Sequence, residues 1–352
     1  MAGQRVSYFD NLKGMLIFLV VLGHFLAYLS TTADNHLMYT LLVFIYAFHM
    51  PAFIFVSGLF AYKTYTAEKG FRAENVLFYL ALYLIFTLLK SFEELAMGGT
   101  FSFNPLVAGA APWYLLVMAN YALMTPLLFR LNPRVALPLL VLVAVGAMYC
   151  ITLDTRGVLA VARTLAYAPV FSLGFYIGAG KMGAFVEKMG QSPRLPLMRA
   201  AALAVLVAFF AVLYLMPEHL ATMVKRICTG QNTALSIGIG SAPAFVFGLA
   251  RVLFYLLEAV LISAVMLLTP RRRTFLSIWG ERSLQVYILH MLVIYALHHY
   301  GFNASMLAVT PLWEWSPFLM APLVTALLAA PRAPLAWTAA LKRLCKKALR
   351  AV

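Results

Sequence analysis

The run Tyr8-Phe9-Asp10-Asn11-Leu12-Lys13, continuing through residues 15–22 to Gly23-His24, decides how this chain folds. An aspartate, an asparagine and a lysine stand at its mouth, and a histidine lies near its middle. Wound as a helix, Lys13 and His24 are about three turns apart, so they share one face at a separation of about 16 Å. A second histidine, His49, lies at similar depth in the next apolar run, Phe48-His49-Met50-Pro51-Ala52-Phe53-Ile54-Phe55. Hydrophobic residues make up 63% of the 352 and charged ones 11%, against about 45–50% and 25% in an ordinary soluble domain. No single globular core buries that excess, and many windows exceed the roughly 18 apolar residues that mark a membrane span. The composition therefore implies an all-α, polytopic transmembrane helical bundle. The alternating ten-residue strands of an outer-membrane barrel are not in the sequence.

The net charge of +15 would suit nucleic acid, but most basic residues fall in alternate loops, as orientation in a bilayer requires. Lipid, not nucleic acid, is the expected partner. The three cysteines, Cys150, Cys228 and Cys345, form no CxxC, so metal and redox chemistry have no support and ordinary thiols are expected. A Cys150–Cys228 bridge requires both to lie outside. The first apolar run is not a signal peptide, because a mid-run histidine and an aspartate at its boundary do not suit one.

Hydropathy and Lys/Arg placement together give about ten spans. The first leaves a cytoplasmic N-terminus, and the second, about 38–60, returns to an inner loop containing Lys63 and Arg72. Later inner loops contain Arg130 and Arg134, then Lys181 and Lys188, then the triplet Arg271-Arg272-Arg273. One membrane domain, 1–341, is followed by a short basic tail, 342–352, so both termini are expected in the cytoplasm and the protein in the cell (inner) membrane.

Ionisable groups at membrane depth are costly and are functional candidates by default. His24 and His49 each lie about 16 Å into their spans, near the midplane. Lone membrane histidines commonly serve as interhelical hydrogen-bond partners. Two at matching depth on neighbouring antiparallel helices, one of them below a lysine, point to a site. Desolvation disfavours the imidazolium, so such a ring is uncharged and can take a proton from a bound alcohol. Asp10 and Asn11 either orient Lys13 or cap the helix start. Arg251 and Glu258, two turns apart on one helix face, suit an intramembrane ion pair, with Glu258 also able to line a cavity. Ser283, Tyr287 and His290, at i, i+4 and i+7, put three polar groups on one face, for interhelical hydrogen bonds or for a cavity wall. Trp113 and Tyr114 suit an aromatic belt.

Asp10-Asn11-Leu12-Lys13 followed by Val20-Val21-Leu22-Gly23-His24 resembles the opening of the acyltransferase-3 membrane proteins, in particular the fucose 4-O-acetylase-like branch. That family has a basic residue, ten intervening positions and a histidine in its first span, which Lys13 and His24 match. Phe48-His49-Met50-Pro51-Ala52-Phe53 with Ser57-Gly58 resembles its second-span motif. Trp113-Tyr114-Leu115, Phe171-Ser172-Leu173-Gly174-Phe175, and Gly280-Glu281-Arg282-Ser283-Leu284 through Tyr287-Ile288-Leu289-His290 resemble later landmarks, in order along most of the chain. Asn75 stands where many members carry a second arginine three residues after the first, and no esterase-like domain follows. The resemblance implies transfer of an acyl group, usually acetyl, from a cytoplasmic acyl-CoA to a hydroxyl of a carbohydrate or cell-surface glycan. Acetyl-CoA would be a co-substrate, with no permanently bound cofactor and no metal. Lys13, Arg72 and the arginine triplet would meet the CoA phosphates, and His24, with His49, would work on the acceptor hydroxyl. Asp10, Asn11, Trp113, Glu258, Ser283, Tyr287 and His290 complete the expected substrate surroundings.

Two other classes suit the same residues. A glycan or small-anion transporter or flippase would use the membrane charges as a binding site and relay, but the sequence shows no inverted repeat. A b-type haem protein would take His24 and His49 as axial ligands, leaving Lys13 and Arg72 without a role.

Overall fold

The computed structural model describes residues 7–66, 68, 70–108, 112–149, 157–230, 243–331 and 333–349. The named strands among them are one short antiparallel pair, β1 (Tyr65–Thr66) and β2 (Gly70–Phe71), with Tyr65 opposite Phe71. Helices carry the rest, and the fold is all-α.

Each expected span coincides with a helix or helix pair. These are α1 (Ser7–Leu29), α2 with α3 (His36–Tyr46 and His49–Leu59), α4 (Ala73–Ala96), α5 (Trp113–Arg130) and α6 (Pro133–Ala147). They continue with α7 (Val161–Gly190), α8 (Leu195–Leu215), α10 (Ala244–Leu268), α12 (Ser283–His299) and α14 (Pro317–Ala329). Between and after them lie α9 (Glu218–Cys228), α11 (Phe275–Glu281), α13 (Phe302–Val309) and α15 (Ala333–Ala348). Among the described residues, five segments are long and apolar enough to cross a bilayer: Ser7–Leu29, His36–Leu59, Ala73–Ala96, Leu195–Leu215 and Phe245–Leu268. The expected count of ten crossings is therefore not confirmed. At about 1.5 Å per residue, α6 and α14 fall short of a hydrocarbon layer of about 30 Å.

Burial separates helices that face protein from helices that face lipid. The most apolar window of His36–Leu59 is 78% buried, whereas that of Leu195–Leu215 is 11% buried. Leu197, Leu203, Val207 and Leu215 on α8 are exposed. So continuous an apolar surface would drive association in water, and hydrocarbon is the solvent that suits it.

The helices gather into two compact units, Met1–Phe53 with Gly183–Cys228 and Leu257–Pro331, and Ile54–Met182 with Thr229–Leu256 and Arg332–Val352. In the first, α1 packs against α2, α11, α12 and α14. Its crossing with α11 has almost no room between backbones. A Cβ on Gly14 would stand 1.9 Å from the Leu276 carbonyl oxygen, and one on Gly280 would stand 1.7 Å from that of Asp10. Small residues permit such approaches in membrane bundles, where dispersion and hydrogen bonds hold helices together.

The second unit repeats the device. A Cβ on Gly58 would stand 2.1 Å from the Phe171 carbonyl oxygen, and one on Gly174 would stand 2.2 Å from that of Phe55. The basic tail expected from 342 onward is the second half of α15, which lies against α4. There Lys342 Nζ sits 5.7 Å from the centre of the Phe78 ring. Burial pushes its ammonium below the usual lysine range, with Glu74 opposing and Arg72 adding to the shift. Cys345 is a buried thiol. Cys150, and with it the possible bridge to Cys228, lies outside the described residues.

Candidate active site

The first unit brings three histidines into one neighbourhood. His24 projects from α1, His290 from α12, and His49 begins α3. The His24 and His290 rings lie 5.2 Å apart, centroid to centroid, at 45°. Both His290 and His49 are within electrostatic reach of His24. The Tyr46 ring is 5.1 Å from that of His49, and the Tyr287 ring is 6.0 Å from that of His290.

Their environments differ. His290 and His49 are buried, whereas His24 is partly exposed. The His49 Nδ1–H donates to the Ile45 carbonyl at 2.7 Å, and the His290 Nδ1–H donates to the Val286 carbonyl at 3.0 Å. A carbonyl oxygen can only accept, so Nδ1 carries the hydrogen in both rings and the lone pair of each neutral ring is on Nε2. His24 makes no hydrogen bond among the described residues. It is the ring with both nitrogens open to a substrate.

His49 does not lie in the middle of a continuous helix as expected. Helix α2 ends at Tyr46 and α3 begins at His49. The signal is Pro51, which lacks the N–H that would bond the Ala47 carbonyl and whose ring crowds it, so the chain breaks there. Ala47 still bonds back to Val43 at 3.0 Å, with a longer bond to Phe44 at 3.3 Å, while Phe48 bonds only three residues back, to Ile45 at 3.3 Å. The Ile45 carbonyl accepts from the Phe48 N–H and, more closely, from the His49 ring.

At the opposite end of α1, Lys13 Nζ lies 2.8 Å from Asp10 Oδ1. Asp10 therefore orients Lys13, one of the two roles expected of it. Asn11 ties α1 to the segment 270–277. Its Nδ2 donates to the Pro270 and Arg272 carbonyls at 2.9 and 2.6 Å, while its Oδ1 accepts from the Thr274 and Ser277 hydroxyls at 2.8 and 2.6 Å. Two donors and two acceptor positions exhaust an asparagine amide. These bonds place the arginine triplet beside the Lys13 end of α1. Arg271 Nη2 donates to the Gly190 carbonyl at 2.9 Å, Arg273 pairs with Glu281 at 3.2 Å, and Arg272 is exposed.

Ser283 is partly exposed in the first turn of α12. Tyr287 and His290 are buried one and two turns further on. Glu258 is buried along α10, as is Arg251, whose Nε–H points at Met148 Sδ, 3.4 Å away.

In the second unit, Arg72 Nη1 and Asn75 Nδ2 both donate to the Lys63 carbonyl, at 3.3 and 2.9 Å. The pair thus closes the loop before α4. Trp113 stacks on Tyr167 at 5.9 Å and lies under the Arg163 guanidinium at 4.5 Å. Its neighbour Tyr114 shares a hydrogen bond of 2.8 Å with Ser57. Arg282, quoted above only as part of a landmark, and Gln285, not singled out above, hold the end of α14. Arg282 and Gln285 donate to the Ala329, Ala330, Leu328 and Pro331 carbonyls, satisfying the end of α14. An arginine or glutamine within an apolar stretch is their only trace in the sequence.

The structure is thus a helical membrane bundle with a partly exposed imidazole in α1, two enclosed ones beside it and cations at the far end of that helix. The chain belongs to the acyltransferase-3 family: the family's profile, described as an acyltransferase domain, matches residues 6–330. Among curated proteins, nodulation protein NolL of Sinorhizobium fredii is 31% identical over 194 residues, which cover 49% of this chain and 49% of NolL. The similarity therefore spans about half the length of that relative. No solved structure matches significantly.

Proposed function

We propose that the protein transfers an acyl group, acetyl in the first instance, from a cytoplasmic acyl-CoA to a hydroxyl of a carbohydrate or cell-surface glycan. The observation that carries this reading is His24, partly exposed and without a hydrogen bond among the described residues, beside two rings already committed to backbone carbonyls. The acceptor oxygen attacks the thioester carbonyl, an O–C bond forms and the C–S bond breaks. His24 takes the hydroxyl proton and returns it to the leaving thiolate, so ester and free CoA thiol are the products. Lys13, held in place by Asp10, and Arg272 near the same end of α1 offer positive charge to the CoA phosphates. With the cell (inner) membrane as its location and both termini cytoplasmic, this charged end faces the donor pool.

The test is His24→Ala in membrane vesicles supplied with acetyl-CoA. Transfer falls by about 10²–10⁴-fold, the usual worth of a general base, while the amount of inserted protein stays unchanged. Wild-type transfer by this variant would overturn the assignment. Mass spectrometry of glycans from deleted and complemented cells identifies the acceptor class through an acetyl-sized mass difference.

A further inference from the structure

We infer that His290 is a positioning residue that selects the tautomer of His24 and holds the imidazolium formed during transfer. The inference rests on the reading of His24 as the base. His290 is fully enclosed, at 0% exposure, and its Nδ1–H is committed to the Val286 carbonyl. Its Nε2 is sealed from solvent and has no hydrogen-bond partner among the described residues. Buried polar atoms in folded proteins are nearly always paired, and an exception calls for a functional explanation.

The ring beside it is His24, with 5.2 Å between centroids. Two imidazoles joined edge to edge through one N–H···N bond of about 2.9–3.0 Å have centroids about 5 Å apart. The separation already suits that bond, and rotation of the His24 side chain completes it without moving either helix. His49 sits within electrostatic reach of His24, but its Nε2 is not among the sealed atoms left without a partner, as that of His290 is. Tyr287, the other ring next to His290, is 6.0 Å away.

Once joined, His24 gives its N–H to His290 Nε2 and keeps its lone pair on the opposite nitrogen, toward the acceptor hydroxyl. After proton transfer both His24 nitrogens carry hydrogen. One is given to the departing thiolate, and the other stays hydrogen-bonded to the His290 Nε2 lone pair, which holds the His24 imidazolium in place until then. In hydrolase triads a carboxylate orients the histidine. A neutral imidazole does so here without placing a second charge in hydrocarbon, where charges are costly.

Glutamine and asparagine at 290 separate this role from packing. In His290→Gln the amide oxygen reaches the Nε2 position, whereas in His290→Asn the amide lies near Nδ1 and the Nε2 position is vacant. Incorporation from radiolabelled acetyl-CoA into glycan is measured in membrane vesicles over a range of donor concentrations, per amount of inserted protein. His290→Asn loses about 10²-fold in maximal rate with an unchanged KM for acetyl-CoA, and His290→Gln stays within about tenfold of the wild type. Equal maximal rates for the two variants, or a loss confined to KM, would overturn the inference. So would a His290→Asn protein that merely fails to accumulate beside a His290→Gln protein of wild-type rate. His24→Ala, run alongside, keeps the two readings apart. If it retains transfer, the base assignment fails; if it is inactive while His290→Asn works normally, only the positioning role fails.

Discussion

Four hydrogen bonds converge on the Asn11 amide from residues about 260 positions away. Replacement by leucine keeps a similar volume but leaves two carbonyls and two hydroxyls in the interior without their partner. Leaving such groups unpaired costs about 1–3 kcal/mol each, and relaxation absorbs part of it. Asn11→Leu is expected to destabilise the protein by about 3 kcal/mol, seen as a lower Tm of the detergent-solubilised protein. Because all four bonds of the amide go to the protein's own groups, transfer per folded molecule should stay near wild type. Lys13 and His24 were legible in the sequence because an ionisable group within an apolar run is conspicuous whatever it touches. The task of Asn11 was not, since the atoms that consume it come from the other end of the chain. The enclosure of His290 and the openness of His24 were hidden for the same reason: exposure belongs to packing and not to the residue.

At the scale of helices, the landmark glycines find one another. Gly58 meets the backbone around Phe171, Gly174 meets the backbone around Phe55, and Gly280 meets α1. Their spacing in the sequence said that the motifs matter without saying that they are contact points. Gly280→Ala places a methyl group 1.7 Å from the Asp10 carbonyl oxygen, and only separation of α1 from α11 relieves the overlap. The expected cost is about 1–3 kcal/mol, measured as reduced thermal stability in detergent. Activity should fall as well, because α1 carries both Lys13 and His24. The break between α2 and α3 was readable at Pro51, yet the strong hydropathy on both sides disguised it as one span. Apolar runs report solvent preference, and backbone continuity is a separate property set by hydrogen bonding.

For the whole molecule, the placement of lysine and arginine carries the topology. Cations left on the translocated side are disfavoured, so the basic residues of α15, including Lys346 and Lys347 in its last turn, are expected on the cytoplasmic side. A fluorescent protein fused after Leu349 should glow and an alkaline phosphatase fused there should be inactive; the reverse result would put the donor end on the wrong face. Membrane residence and helical class were plain from composition. The number of crossings was not, because α5, α12 and the short apolar helices lie near the limits of length and hydropathy at which crossing becomes favourable.

The crossing of α1 with the segment 270–281 bears on biosynthesis. The first helix enters the bilayer early in translation carrying Asp10, Asn11 and Lys13, whereas the backbone that receives it is made more than 250 residues later. At about 5–20 residues per second, the nascent chain waits on the order of tens of seconds with its first span unclosed. Throughout that interval insertion chaperones and membrane proteases can meet it. Any stop codon upstream of Gly280 would leave the opening helix permanently without its dock, so truncated products are destined for degradation and not for a partial enzyme.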